Sequence, residues 1–156
     1  EKLIPVMIFN MIDGKPLPVY GDGKNIRDWL YVEDHSTAIW AILTKAETGA
    51  TYNVGGENEW QNIDLVRRLC ELVADATGAS AQEYLDLISF VTDRPGHDRR
   101  YAIDCGKIKS DLGWSQSVTF DQGLQQTIRW YLDNPDWVQQ VKSGEYRDWV
   151  AKHYGA

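Results

Sequence analysis

Residues 62–76 impose the first constraint on the fold. Val66, Leu69, Cys70 and Val73 recur at helical spacing behind Asn62, and Gly78 closes the run, so the segment reads as an amphipathic helix. A helix apolar along one stripe needs other elements to cover that stripe. Asn62 suits the N-cap position. The same helix start offers free backbone N–H groups, so contact with an anionic ligand is a second reading for Asn62.

The flanking segments supply both helices and strands. Ile4, Met7, Ile8 and Met11 put a helix over 2–13, with Pro5 in its first turn and Gly14 after it. Glu33, Asp34 and His35 open a helix through residue 46, with Ile39, Ile42, Leu43 and Ala46 as its expected buried face. Residues 105–112 form a short helix, and a further short one is allowed within 79–87. Thr119 with Gln122 reads as a capping box that opens a helix carrying Phe120, Leu124, Ile128 and Tyr131 on one face. Pro135 interrupts that helix and starts the next. The tail to Tyr154 is helical and aromatic, with Trp137, Val141 and Trp149 available for docking.

Strand-forming runs are short: 26–32, Thr51 to Val54 closed by Gly55 and Gly56, Ser89 to Thr92, and Tyr101 to Asp104. Pro16 and Pro18 restrict 15–21 to an edge strand or an extended loop. The expected fold is α+β, one small mixed α/β domain over residues 1–156. A chain of this length buries about two thirds of its unfolded surface, so a real core is available.

Charge then isolates one stretch. The chain carries 23 acidic against 16 basic residues, a net charge of −7, which argues against binding nucleic acid or a membrane surface. Yet Asp93-Arg94-Pro95-Gly96-His97-Asp98-Arg99-Arg100 packs three arginines and a histidine around a Pro-Gly turn. Arginines beside a turn can present donor forks to phosphate oxygens. Internal pairing of the Arg and Asp residues is the plainer reading. Arg27 and Asp28 adjoin in the same way and read as an ion pair or as separate functional groups. Lys2 is either a solvated lysine or an anion contact. Pro18, Val19 and Tyr20 suit packing against a flat ring or against the domain itself. His35 reads as a packing or capping residue.

Several chemistries find no support. Cys70 and Cys105 give neither a disulfide framework nor metal spacing, and both read as reduced. His35, His97 and His153 lie far apart. No G-x-G-x-x-G loop and no P-loop occurs, and a Tyr-x-x-x-Lys pair for proton abstraction is read as absent. No apolar run reaches membrane-spanning length and no signal peptide is visible, which makes the cytoplasm the default location. The start at Glu1, without Met, suggests that something natural precedes it.

Taken in order, Glu1-Lys2-Leu3-Ile4-Pro5, the stretch from Gly14 to Gly23, Arg27-Asp28-Trp29-Leu30-Tyr31-Val32-Glu33-Asp34 and Tyr52-Asn53-Val54-Gly55-Gly56 resemble the C-terminal part of the extended short-chain dehydrogenase/reductases that act on nucleotide sugars. The run from Asp93 to Asp104, Trp130-Tyr131-Leu132 and the stretch from Val141 to Tyr146 are similar to the dTDP-glucose 4,6-dehydratase family. The resemblance covers essentially the whole chain. It implies a C-terminal half that binds the nucleotide diphosphate. The N-terminal Rossmann half, not represented here, binds NAD and carries the catalytic groups. The implied reaction is NAD-dependent oxidation at glucose C4, loss of water across C5 and C6, and return of the hydride to C6. The product feeds rhamnose and other deoxysugars of cell-surface polysaccharide. The resemblance further implies homodimers formed through the N-terminal half, a ligand that is dTDP-glucose or thymidine diphosphate, and an inactive isolated fragment.

Carried over by position, Lys2 and Leu3 line the nucleotide pocket, and Pro18, Val19 and Tyr20 lie along the thymidine. Arg27 and Arg94 contact the diphosphate, with Asn62 nearby. Asp93, Arg94, Pro95, Gly96 and His97 form a turn that closes over the nucleotide. A UDP-sugar epimerase or decarboxylase, and a non-catalytic interaction module, are the competing readings. The resemblance also implies an exposed apolar face where the other half would pack.

Overall fold

The computed structural model describes residues 2–144. Seven helices and four short strands occur among them. Helix α1 (Leu3–Ile12) leads into β1 (Leu17–Tyr20) and β2 (Ile26–Asp28), then α2 (Val32–Lys45) and β3 (Glu59–Gln61). Helices α3 (Asn62–Thr77) and α4 (Ala81–Leu85), strand β4 (Ile88–Val91) and helices α5 (Gly106–Leu112), α6 (Phe120–Asp133) and α7 (Pro135–Ser143) follow. Tyr146, Trp149, His153 and Tyr154 lie outside the described residues, as does Glu1.

The strands form two pairs. Strand β1 runs parallel to β4, with Leu17 opposite Ile88 and Tyr20 opposite Val91. Strand β2 runs antiparallel to β3, with Ile26 opposite Gln61 and Asp28 opposite Glu59. As a member of a two-stranded sheet β1 is an edge strand, which is what lets Pro18 sit within it. The turn between β1 and β2 is tight: a Cβ on Gly23 (φ +71°) would come within 2.8 Å of both Ile63 and Val19.

Helix α3 is the hub. Leu65, Val66, Leu69, Cys70 and Val73 are fully buried against Met7 and Ile8 of α1, Leu17 of β1, and Leu124 and Ile128 of α6. Gly78 (φ 73°) ends the helix in the left-handed conformation, its N–H donating to the Ala74 carbonyl at 2.8 Å. The capping box at α6 is present in both directions, between Thr119 and Gln122. Pro135 occupies the first position of α7. Trp137 from α7 meets Trp130 edge-on at 4.9 Å.

A second, smaller cluster joins Ala38 and Ala41 of α2 to Ile108 and Leu112 of α5, with Cys105 and Trp114. Half of the expected face of α2 holds, since Ile42 and Ala46 pack against this cluster, and half does not. Ile39 and Leu43 lie outside, with Trp40 68% and Leu43 74% exposed, while Ala38, Ala41 and Asp34 face inward. At 100° per residue Val32, Ile39 and Leu43 fall on the side opposite Ala41, with Trp40 beside them. Small residues let α2 lie close to the second cluster, and the large ones are left without a cover.

Three further expectations need correction. Thr51 to Val54 pairs with no strand, and the main chain of Tyr52, Asn53 and Val54 makes no backbone hydrogen bond within the described residues. Tyr101 to Asp104 is irregular as well; a single parallel bridge joins Ile26 to Arg100. The strand expected over 26–32 stops at Asp28, where the Asp28 carboxylate turns away to accept from the N–H groups of Gly56 (2.8 Å) and Asn58 (2.7 Å). Gly56 must be glycine there, since a Cβ would lie 1.8 Å from the Trp29 carbonyl oxygen.

Candidate functional site

The parallel pairing of β1 with β4 carries two of the singled-out stretches to one edge. The Gly21 N–H donates to the Val91 carbonyl at 2.9 Å, so Tyr20 and the turn leaving β4 emerge side by side. That turn is clasped from within. The Asp93 carboxylate accepts the Arg94 N–H at 2.8 Å and meets His97 Nδ1 at 2.7 Å, while Gly96 takes φ 68°. The His97 ring stands edge-on to Tyr20, with centroids 6.2 Å apart. The contact with His97 holds the Asp93 carboxyl below its ordinary value. Val19 is 3% exposed and belongs to the core, while Pro18 is half-buried and Tyr20 exposed.

The chain after the turn runs along β2. Ile26 N–H donates to the Arg99 carbonyl at 2.8 Å and Tyr101 N–H to the Ile26 carbonyl at 3.1 Å. This brings Arg27 onto the ring of Tyr101, the guanidinium carbon 4.4 Å from the centroid. Arg27 also donates to the carbonyls of Ile26 (2.7 Å) and Asp98 (3.0 Å). The Tyr101 hydroxyl donates to the Asp98 carboxylate. That bond and desolvation raise the phenol above its ordinary value, and the charges of Arg27 and Arg94 both oppose the rise. Of the two arginines, Arg27 is the one that lies over the Tyr101 ring.

The arginines divide by charge partner. Arg99 forks onto Asp22 at 2.8 and 3.2 Å and, with the Lys24 N–H, pulls that carboxyl down to about 2. Arg100 forks onto Glu59 at 2.6 and 2.8 Å. Among the described residues Arg27 bonds only neutral carbonyls and an aromatic face, and Arg94 has no carboxylate partner. The expected pairing of Arg27 with Asp28 does not occur.

Asn62 is not the N-cap of α3. Gln61 holds that position without a side-chain bond, and Asn62 is the first helical residue. Its N–H donates to the Asn25 carbonyl at 2.9 Å, and its side-chain oxygen is buried without a donor. Lys2 and Leu3 sit elsewhere. They line a groove of about 630 Å3 with Trp29, Tyr31, Phe120 and Trp130, and neither arginine nor any residue of the 93–97 turn lines it. The groove is mostly apolar. Two arginines without a carboxylate partner among the described residues suit an anion better than this groove does.

A Tyr-x-x-x-Lys spacing does occur once, from Tyr20 to Lys24, contrary to the sequence reading. Gly21 and Gly23 between them take φ 58° and 71° in a turn, so the two side chains do not share a helix face. Tyr101 and Asp98 were missed as site neighbours, because no periodicity marks an aromatic that follows an arginine run. Among the described residues no group of three or more His, Cys, Asp and Glu side chains could hold a metal ion, and no helix is long and apolar enough to cross a membrane.

Residues 1–127 match the family model described as GDP-mannose 4,6 dehydratase. The chain belongs to that family. A dTDP-glucose 4,6-dehydratase of Neisseria meningitidis is 55% identical over 150 residues, 94% of this chain and 42% of the relative. One from Salmonella typhimurium is 52% identical over 154 residues, 99% of this chain and 42% of the relative. The crystal structure of dTDP-glucose 4,6-dehydratase from Bacillus anthracis in complex with NAD matches with a TM-score of 0.76 and 46% identity, over 87% of this chain and 40% of that one. The mixed α+β fold is thus the C-terminal part of an extended short-chain dehydrogenase/reductase, and this member of the dehydratase family spans 40–42% of the length of these relatives. The residues present do not fit NAD: neither described sheet exceeds two strands, and the chain has no glycine-rich strand-to-helix loop.

Proposed function

We propose that the chain is the substrate-holding part of a dTDP-glucose 4,6-dehydratase, in which Arg27 and Arg94 bind the diphosphate of dTDP-glucose. The uneven division of the arginines carries this reading: Arg99 and Arg100 each fork onto a carboxylate, while neither Arg27 nor Arg94 has a carboxylate partner among the described residues. A diphosphate carries about two negative charges, and each charge-assisted bond to it contributes about 1.5–3 kcal/mol. Tyr20 and Pro18 are exposed enough to flank the base, and Asp93 and His97 hold the turn in shape beside them. Asn62 has an unsatisfied side-chain oxygen and no capping duty. Lys2 and Leu3 line the apolar groove, whose lining includes neither arginine.

The complete protein, on this reading, is an NAD-dependent nucleotide-sugar dehydratase, homodimeric and cytoplasmic. Its oxidation, dehydration and reduction steps belong to the portion of the relatives that this chain does not span, so the chain alone turns over no dTDP-glucose. The uncovered side of α2 supports the idea of a partner portion of the same protein.

Isothermal titration with thymidine diphosphate tests the site. Arg27→Ala and Arg94→Ala should each weaken binding roughly 10- to 100-fold. Unchanged affinity in either variant removes that arginine from the site. The family model's description names a GDP sugar, so GDP and UDP serve as competitors. The identity to dTDP enzymes favours thymidine diphosphate, and displacement of it by GDP or UDP at equal concentration would reassign the nucleotide.

A further inference from the structure

We infer that Tyr101 is a positioning residue that holds the Arg27 guanidinium in the plane needed to meet a phosphate; the inference rests on the diphosphate reading above. An arginine side chain is long and rotamer-rich, and an exposed one does not keep a single orientation unless its surroundings impose it. Arg27 is constrained on three sides. Its two terminal nitrogens donate to the carbonyls of Ile26 and Asp98, at 2.7 and 3.0 Å. Its guanidinium carbon lies 4.4 Å from the centroid of the Tyr101 ring. Each terminal nitrogen carries two N–H groups and Nε carries one, so donors remain for an anion.

Tyr101 is itself tied at both ends. Its N–H donates to the Ile26 carbonyl at 3.1 Å, and its hydroxyl donates to the Asp98 carboxylate. The ring therefore cannot swing away from Arg27 without breaking one of these bonds. Core packing does not account for the residue, which is 50% exposed. One backbone segment thus does two jobs: the Asp98 carbonyl takes an Arg27 donor, and the Asp98 carboxylate fixes the ring that the same arginine lies over. The aromatic face attracts the cation without neutralising it, whereas a carboxylate in the same place would compete with the phosphate. Arg99 and Arg100, which have such carboxylates, show the contrast within the same loop.

Tyr101→Leu and Tyr101→Phe separate ring from hydroxyl. In the ligand-free protein the ring-current shift of the Arg27 Nε–H proton should be kept in Tyr101→Phe and lost in Tyr101→Leu. Titration with thymidine diphosphate should show a roughly three- to tenfold weaker affinity for Tyr101→Leu, the size of an exposed cation–π contact, and rescue to within about twofold of wild type by Tyr101→Phe. Backbone amide spectra report whether each variant is folded. Wild-type affinity in Tyr101→Leu, or equal losses in both folded variants, would overturn the inference. Wild-type protein that binds no thymidine diphosphate would instead overturn the diphosphate reading. The Arg27 proton shift then decides the Tyr101 contact on its own, and its absence in wild type would refute it.

Discussion

Asp34 shows how one side chain can join distant segments. It is 1% exposed and accepts from the Ser117 N–H at 3.0 Å, the Ser117 hydroxyl at 2.7 Å and the Val118 N–H at 3.2 Å. It ties the first turn of α2 to the loop entering α6. The sequence places Asp34 correctly at a helix start, but its partners lie more than 80 residues away and no local rule points to them. Asp34→Ala removes the acceptor of three donors, two on exposed Ser117 and one on half-buried Val118, and should cost about 2 kcal/mol, measured by urea unfolding at neutral pH. Burial pushes the Asp34 carboxyl up from its ordinary 3.8, but the bonds from Ser117 and Val118 outweigh it and the net shift is downward. A depressed folded-state value means that this stabilisation is complete above the ordinary value and is lost as pH falls through the folded one. The stability gap between wild type and Asp34→Ala should therefore be constant from about pH 5 upwards and narrow below about pH 4. A gap that widened on acidification would contradict the assignment.

At the scale of elements, local signals performed well where an element finds its partners within the chain. The apolar stripe of α3, the capping box of α6 and Pro135 at the start of α7 act through neighbours a few residues away, and all three are present. Signals that depend on a distant partner did not suffice. Thr51 to Val54 has the composition of a strand but no strand beside it, and a ladder needs two members. Helix α2 has two faces of comparable apolar character, and periodicity cannot say which one meets the core. Its outer face should drive self-association. Trp40→Glu with Leu43→Glu should reduce the concentration-dependent increase in sedimentation coefficient while changing unfolding free energy by no more than about 0.5 kcal/mol per site. A wild-type chain that stays monodisperse at high concentration would contradict this.

Across the whole molecule, the sequence identified the arginine-rich turn and Arg27 but could not sort its cations. Arg99 pairs with a carboxylate 77 residues away and Arg100 with one 41 residues away, and only folding shows that these two charges are satisfied. The same folding buries Val19 in the core and puts Lys2 and Leu3 on the groove between α1 and α6. What persists is two arginines without a carboxylate partner among the described residues, Arg94 in the turn and Arg27 over the Tyr101 ring. A crystal structure of the chain with thymidine diphosphate tests that arrangement most directly. The account predicts diphosphate oxygens within hydrogen-bonding distance of both Arg27 and Arg94, with Arg27 still lying over the Tyr101 ring. Diphosphate bound in the groove between α1 and α6, with both arginines facing solvent, would contradict it.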